Sequence, residues 1–373
     1  MLKGLQLTIL AGPVVPVPLP SVFVDALESV SAHTGDRHGF ELKFILDRRS
    51  PLPTLLTVGG VNLPDFRVIL IVTLRGFPHV IADGIVTHHQ VDTSQQQPRL
   101  VIQGQGITAA MDRNDETNEF QYPCVPPTER VRLILLKYLR FGLIPAVVPS
   151  IGNSVPNPNV TTPLHKGTDL EYVQWLAERE GNDFFILPGP APGTNLAYWG
   201  PTIRLGAPQP ALNADMDVHR NVESISFSID SEQHSQPVVR IQEPNTKFSI
   251  SIPIPSFNPL APPMGLVRPP ARKKSKSEGA AKHNFADALV KGFAKAVGTQ
   301  DTVQADGSLN VLRYGHVLRA KNLVSVRGGT HPFDGIYYVD QVTHTIERGK
   351  FTQSFKLIRD ALVSTVPLAP MVS

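Results

Sequence analysis

The amino-acid sequence predicts a β-dominated α+β protein in which sets of antiparallel strands flank a short helical region. Three observations carry this. Apolar side chains recur at every second position along several short segments, as one face of a half-buried strand requires. Two separate segments carry apolar residues at helical spacing beside capping signals. Finally, 35 prolines in 373 residues is about twice the ~5% average usage and demands many loops and strand ends. A chain of this length exceeds the usual single domain, so two or three domains are expected.

The N-terminal apolar run from Met1 to Leu10 is cut by Pro13, Pro16 and Pro18. Prolines this early favour a short strand leading into an extended arm of polyproline type over a secretion signal. Phe40–Asp47 alternates cleanly and reads as a strand, followed by the β-branched run Arg67–Leu74 and by Val80–Val86 and Arg99–Gln103. Strands so closely spaced suggest a barrel or sandwich. After Asp112 the texture changes. Thr128 offers an N-cap, and Glu129–Phe141 places Val131, Ile134, Leu135 and Tyr138 on one helical face before Gly142. Pro145–Pro163 has no period and reads as a long loop. A second helix opens at Thr168, with Glu171 completing a capping box, and ends at Gly181. Strands resume at Asp183–Leu187 and Asn221–Asp230 and close the chain at Ile336–Val339, Gln341–Glu347 and Phe351–Arg359.

Between Ser251 and Gln300 lies a proline-rich stretch, a basic run at Arg272, Lys273, Lys274 and Lys276, and a predicted amphipathic helix bearing Phe285, Leu289, Phe293 and Val297 at a four-residue spacing. We read 251–302 as an insertion with a basic linker. Its eight named residues are the candidate partner-docking element, set against a solvated linker and a helix packed on its own protein. Phosphate or anionic lipid is the lesser alternative for the lysines.

Composition and motifs argue against turnover. A net charge of +3 is too mild to imply nucleic-acid binding without clustering. Cys124 is the sole cysteine, which excludes an intrachain disulfide and a thiolate metal cluster. No run approaches the ~20 apolar residues of a membrane helix. Gly104–Ala109 superficially matches a dinucleotide fingerprint, but the polar, proline-bearing stretch behind it is not the helix and strand that chemistry needs. His88 and His89 are adjacent on a strand and point to opposite faces, so they read as surface residues. His331 and His344, near Asp334 and Asp340, match no zinc spacing and no nucleophile context. The carboxylate pairs Asp112/Asp115 and Glu178/Glu180 read as solvated faces. No catalytic residue, cofactor-binding residue or metal ligand is assigned.

Three segments stand out: Ile81–Thr87 with Leu100–Arg113; Gly167–Phe185, a helix ending in an acid and glycine before an aromatic strand; and Gly329–Val339 with Val342–His344 and Gln353–Phe355. Together they resemble the phage late control D family and the hub portion of the VgrG spike proteins of type VI secretion. The likeness spans roughly residues 20 to 365 outside the insertion, and none of its motifs is catalytic. It implies two tail-tube-like antiparallel β-barrels, 1–112 with the N-terminal arm and 201–250 with 303–366, joined by a mixed connecting domain at 113–200, with 367–373 as a tail. It also implies a structural baseplate hub, a homotrimer adapting a hexameric inner tube to a trimeric spike. Its partners would be the inner tube protein, baseplate proteins and, since the chain ends at Ser373, a separate spike protein. Small-molecule substrate, cofactor and stable membrane insertion are not expected, and nucleic acid only as passing cargo. Assembly in the cytoplasm of the producing cell and residence in a virion or tail-like particle follow from the same resemblance. The competing readings are a tail-associated cell-wall hydrolase, which would need convergent acids or a nucleophile with a base, and an independent module for anionic surfaces.

Overall fold

A computed structural model describes residues 5–13, 15–35, 38–46, 65–94, 97–149, 155–156, 162–215, 219–230, 235–242, 249–253, 260–268, 273–276 and 301–365. The first seven strands are β1 (Leu5–Pro13), β2 (Val17–Pro18), β3 (Leu27–Thr34), β4 (Gly39–Ile45), β5 (Phe66–Leu74), β6 (Phe77–Asp92) and β7 (Arg99–Gly106). They pair antiparallel in the order β3-β4-β7-β6-β5-β1-β2. The alternation read at Phe40–Asp47 is real: Phe40, Leu42 and Phe44 are buried while their neighbours are not. β5 is buried on both faces, which is why it reads as a nearly continuous apolar run. Val68, Leu70 and Val72 enter the main core, whereas Arg67 turns to the connecting region.

The connecting region stacks the helices Pro127–Leu136 and Asp169–Glu180 on a small sheet of β8 (Leu143–Val147), β9 (Asp183–Pro188) and β10 (Asn195–Gly200), around a second core that includes Trp199, Tyr172, Phe141 and Leu176. The capping box at Thr168 forms as expected, and Gly181 closes the helix with φ 69°. The first helix departs from the sequence reading. Pro126 is its N-cap and Pro127 its first residue, where a missing N–H costs nothing. Thr128 is therefore buried in the first turn rather than capping it. The α-helix stops at Leu136, and a 3-10 turn, Leu139–Phe141, carries the chain to Gly142 at φ 69°. The predicted loop from Pro145 also begins as a strand. β8 pairs parallel with β10, and Pro145 fits because β8 lies at the sheet edge.

The remaining strands are β11 (Gln209–Asn213), β12 (Val222–Ile229), β13 (Ser235–Gln242), β14 (Ser249–Pro253), β15 (Gly265–Val267), β16 (Lys273–Lys276), β17 (Val303–Asn310), β18 (Leu323–Arg327), β19 (Gly335–Glu347), β20 (Lys350–Arg359) and β21 (Leu362–Ser364). β12, β17, β20 and β19 pair in sequence, and β19 then pairs antiparallel with β3, from Val342↔Thr34 to Glu347↔Ser29. Among the described residues the ladder thus runs unbroken from β12 through the seam to β2. One contiguous core contains Leu42, Phe44 and Leu70 from one set with Val339, Phe351 and Leu357 from the other.

β13 leaves this ladder. It pairs with β14 and, in parallel, with β16, so part of the segment expected in the second strand set forms a separate three-stranded sheet with part of the insertion. The end of the insertion is anchored: the Arg204 guanidinium grips Asp301, with Nη1–Oδ1 at 2.6 Å.

Candidate functional site

The docking residues read from sequence fall into two groups. Arg272, Phe285, Leu289, Phe293 and Val297 lie outside the described residues. Lys273, Lys274 and Lys276 lie on β16, whose backbone pairs with Ser235–Val238. The basic run is thus in part an edge strand, not a linker throughout. Lysine is a common edge residue because its charge discourages a further strand from pairing there.

The other sequence candidates are kept apart. His88 is exposed, His89 half-buried, and a bulge between Val86 and His88 interrupts the register beside them. His331 is exposed on a turn, far in role from His344, which is buried in the seam. Gly104–Ala109 ends β7 and enters the four-residue helix Thr108–Met111. Asp112 accepts a hydrogen bond from Thr168 Oγ1 at 2.8 Å, and Asp115 accepts from the backbone N–H of Thr117 at 2.9 Å. Asp112 therefore ties to the cap of the distant helix Asp169–Glu180, while Asp115 serves its own turn.

Two buried polar joints hold the parts of the fold together. In the first, Arg67 on β5 donates Nε and Nη2 to the two oxygens of Asp83 on β6, at 2.7 and 2.6 Å. The same Nη2 reaches the carbonyls of Phe141 at 2.8 Å and Gly193 at 3.0 Å, and Asn195 Nδ2 donates to Asp83 at 3.0 Å. All three side chains are buried. This guanidinium donates to two carbonyls of the connecting region packed against an apolar sheet, sharing the one at Phe141 with Asn195 Nδ2 at 3.4 Å.

The second joint lies at the seam. Gln353 on β20 accepts from the Leu318 N–H at 2.9 Å and donates to the Leu318 carbonyl at 2.8 Å, which fixes the orientation of its amide. Its Nε2 then faces His344 Nδ1 at 3.0 Å. Nδ1 must accept, so His344 is neutral with its proton on Nε2. Burial, with the nearby His33 adding to it, pushes the His344 pKa down to about 3.

A third cluster escaped the sequence reading. Two loops, 115–122 and 163–168, are laced by the bridges Asp115↔Thr168 and Gln121↔Leu164. They bring Glu116 and His165 beside Asp169, the first residue of the capped helix. One donor atom from each of the three lies within 4.8 Å of the others. Lys137 Nζ stands between the carboxylates, 2.5 Å from Glu116 Oε2 and 3.1 Å from Asp169 Oδ2, above the Phe120 ring. Tyr138 donates to Asp169 at 2.8 Å, and burial together with that carboxylate pushes the Tyr138 pKa up, so it stays a donor. His165 stacks on Tyr172, with centroids 4.4 Å apart, and its Nδ1 meets Tyr122 Oη at 3.1 Å.

The surface offers apolar area suited to protein contact. Leu133, Leu136 and Leu139 are exposed along and just beyond the first helix. A groove of 490 Å³ between the connecting region and the seam is walled by Ile144, Leu196, Ile203 and Leu205, all exposed, with Tyr338 and His344 at its base. Contiguous exposed apolar surface of this kind marks interaction sites more often than solvent-facing accident.

No protein-family profile matches the sequence, and no curated protein matches it. Solved structures do. The chain resembles a tail protein from Neisseria meningitidis over 96% of its length and 97% of that chain, with TM-score 0.64 and 11% identity. It resembles the 43 kDa tail protein of prophage MuSo2 from Shewanella oneidensis over 96% and 99% of the two chains, with TM-score 0.61 and 12% identity. A chain of a PdpA–VgrG complex matches 99% of this chain over 67% of its own, with TM-score 0.63 and 8% identity. At these identities the shared property is the fold, and the chain has the fold of phage tail and VgrG-like proteins.

Proposed function

We propose that this chain is a structural hub at the base of a contractile phage tail or contractile injection system. The observation that carries the proposal is the end-to-end correspondence with the Neisseria tail protein, in which neither chain leaves more than a few per cent unmatched. In this reading the two strand sets, joined at the β3–β19 seam, are the tube-like elements, and three copies present six of them to a sixfold inner tube. A trimeric spike and the baseplate proteins take the remaining surfaces, and the protein works by shape and multivalent contact rather than turnover. The polar joints support this, because each spends its hydrogen-bonding capacity on neighbouring chain rather than on an open cleft.

Light scattering on the purified chain, alone and mixed with the tube and spike proteins of its source, is the test. A trimer of about 122 kDa, three times the 40.7 kDa chain, that captures both partners is the expected result. A monomer that binds neither, under conditions where both partners are folded, refutes the hub.

A further inference from the structure

We propose that Glu116, His165 and Asp169 form a binding site for one zinc-class divalent cation. The donor set is one imidazole nitrogen and two carboxylate oxygens, which suits zinc better than the all-oxygen cations calcium and magnesium. His165 supplies the observation beyond mere acidity. Its side chain is fully buried, and Nε2 has no hydrogen-bond partner although it faces Asp169 Oδ1 at 3.6 Å. A buried imidazole nitrogen left unpaired costs free energy, and a metal bond removes that cost.

The geometry is close to what an ion requires. Ligand atoms about 2.1 Å from a tetrahedral zinc stand about 3.4 Å from one another. The His165–Asp169 separation of 3.6 Å already meets this. Glu116 must close by about an ångström, and it sits half-buried on a turn rather than inside a regular element. Behind the imidazole, Tyr122 Oη stands ready to accept from Nδ1–H, the outer hydrogen bond that turns Nε2 toward a metal.

Charge balance points the same way. The two carboxylates outnumber the single ammonium of Lys137 that stands between them. A divalent ion in place of the ammonium matches the charge of the two carboxylates. Lys137 is able to leave: its side chain is 35% exposed, and its ammonium already rests on the Phe120 ring, 4.6 Å from the centroid. Lys137 is thus the competitor that holds the loops together in the absence of metal, and the ion would tie loop 115–122 and loop 163–168 to the helix Asp169–Glu180 more tightly.

Titration of the full chain with zinc chloride, followed by calorimetry and by the shift in melting temperature, tests this. The expected result is one equivalent per chain, with Glu116→Gln weakening binding at least tenfold and Lys137→Met strengthening it at least tenfold. Zinc binding that both substitutions leave unchanged would assign the ion to exposed groups such as Cys124 or His88 and overturn the site. Binding seen only in Lys137→Met would also overturn it, since the native lysine would then exclude the ion. So would the absence of binding in every variant.

Discussion

Acidification should weaken the seam between the two strand sets, and His344 is the group through which it acts. Its Nδ1 must accept from Gln353 Nε2, because the Leu318 backbone holds both ends of that amide. A proton on Nδ1 would set two donors against each other in a site that is 2% exposed. The folded pKa is about 3 against 6.5 for the free side chain. Because the folded value is depressed, the unfolded state binds the proton first. Stability attributable to this group is fully present above pH 6.5 and is lost as pH falls toward 3. At pH 5 the loss is about 2 kcal/mol and below pH 3 about 5 kcal/mol, from one pKa unit being worth about 1.4 kcal/mol. The assay is urea unfolding from pH 7.5 to 4.5 for the native chain and for His344→Asn, which retains an acceptor oxygen without titrating. The native chain should lose about 2 kcal/mol more than the variant between pH 7 and 5. Parallel pH profiles for the two would refute the assignment, whatever their absolute stabilities.

Arg67→Met should destabilise the chain by about 3–5 kcal/mol in urea, because Asp83 is left buried without its cation and the Gly193 carbonyl loses the guanidinium, with only Asn195 Nδ2 still donating to Asp83 and Phe141. A cost below about 1 kcal/mol would mean that water replaces the guanidinium. Thr168→Ala should cost about 1–2 kcal/mol, since it removes the cap on Glu171 N–H and the bond to Asp112 together. Thr168→Ser should recover most of that, and failure of serine to rescue would locate the effect in the methyl group instead. Fragments 1–200 and 201–373 should each aggregate or stay unfolded alone and recover a single cooperative transition when refolded together, because they divide one core and the β3–β19 ladder. A monomeric, cooperatively folded 1–200 fragment would show that the strand sets are independent.

What the sequence revealed and what it concealed follow from how local the causes are. The helix Asp169–Glu180 was legible because Thr168, Glu171 and Gly181 carry its start and stop within the segment itself. β4 was legible because one of its faces is buried and the other is not. β17, with the sequence Val-Gln-Ala-Asp-Gly-Ser-Leu-Asn, carries little strand propensity and was not singled out; it is a strand because β12 and β20 flank it on both sides. Thr128 misled because a cap residue also fits inside a first turn, and the two prolines before it decide the matter. The Glu116–His165–Asp169 cluster joins residues up to 53 positions apart (169 minus 116) through two loops without period. Only the four-residue step from His165 to Asp169, beside a legible cap, hinted at it.

The buried polar groups share a position that bears on the proposed role. Arg67 meets carbonyls of the connecting region, Gln353 meets both backbone groups of Leu318, and Arg359 donates to the carbonyls of Asp334 at 3.0 Å and Pro332 at 2.8 Å. In each case a side chain on a strand satisfies irregular backbone packed against the sheet. Apolar side chains in place of both Arg67 and Asp83 would spare the desolvation of two charges, although the Gly193 carbonyl would still lose its guanidinium. They would not give direction. An apolar contact tolerates a sliding or rotating neighbour, whereas a guanidinium shared between one carboxylate and two carbonyls is satisfied in one arrangement only. A protein that acts by presenting several surfaces at fixed angles to other subunits depends on that arrangement more than on a larger free energy of folding. Loss of Arg67 should therefore misorient the connecting region against the strands even in molecules that remain folded.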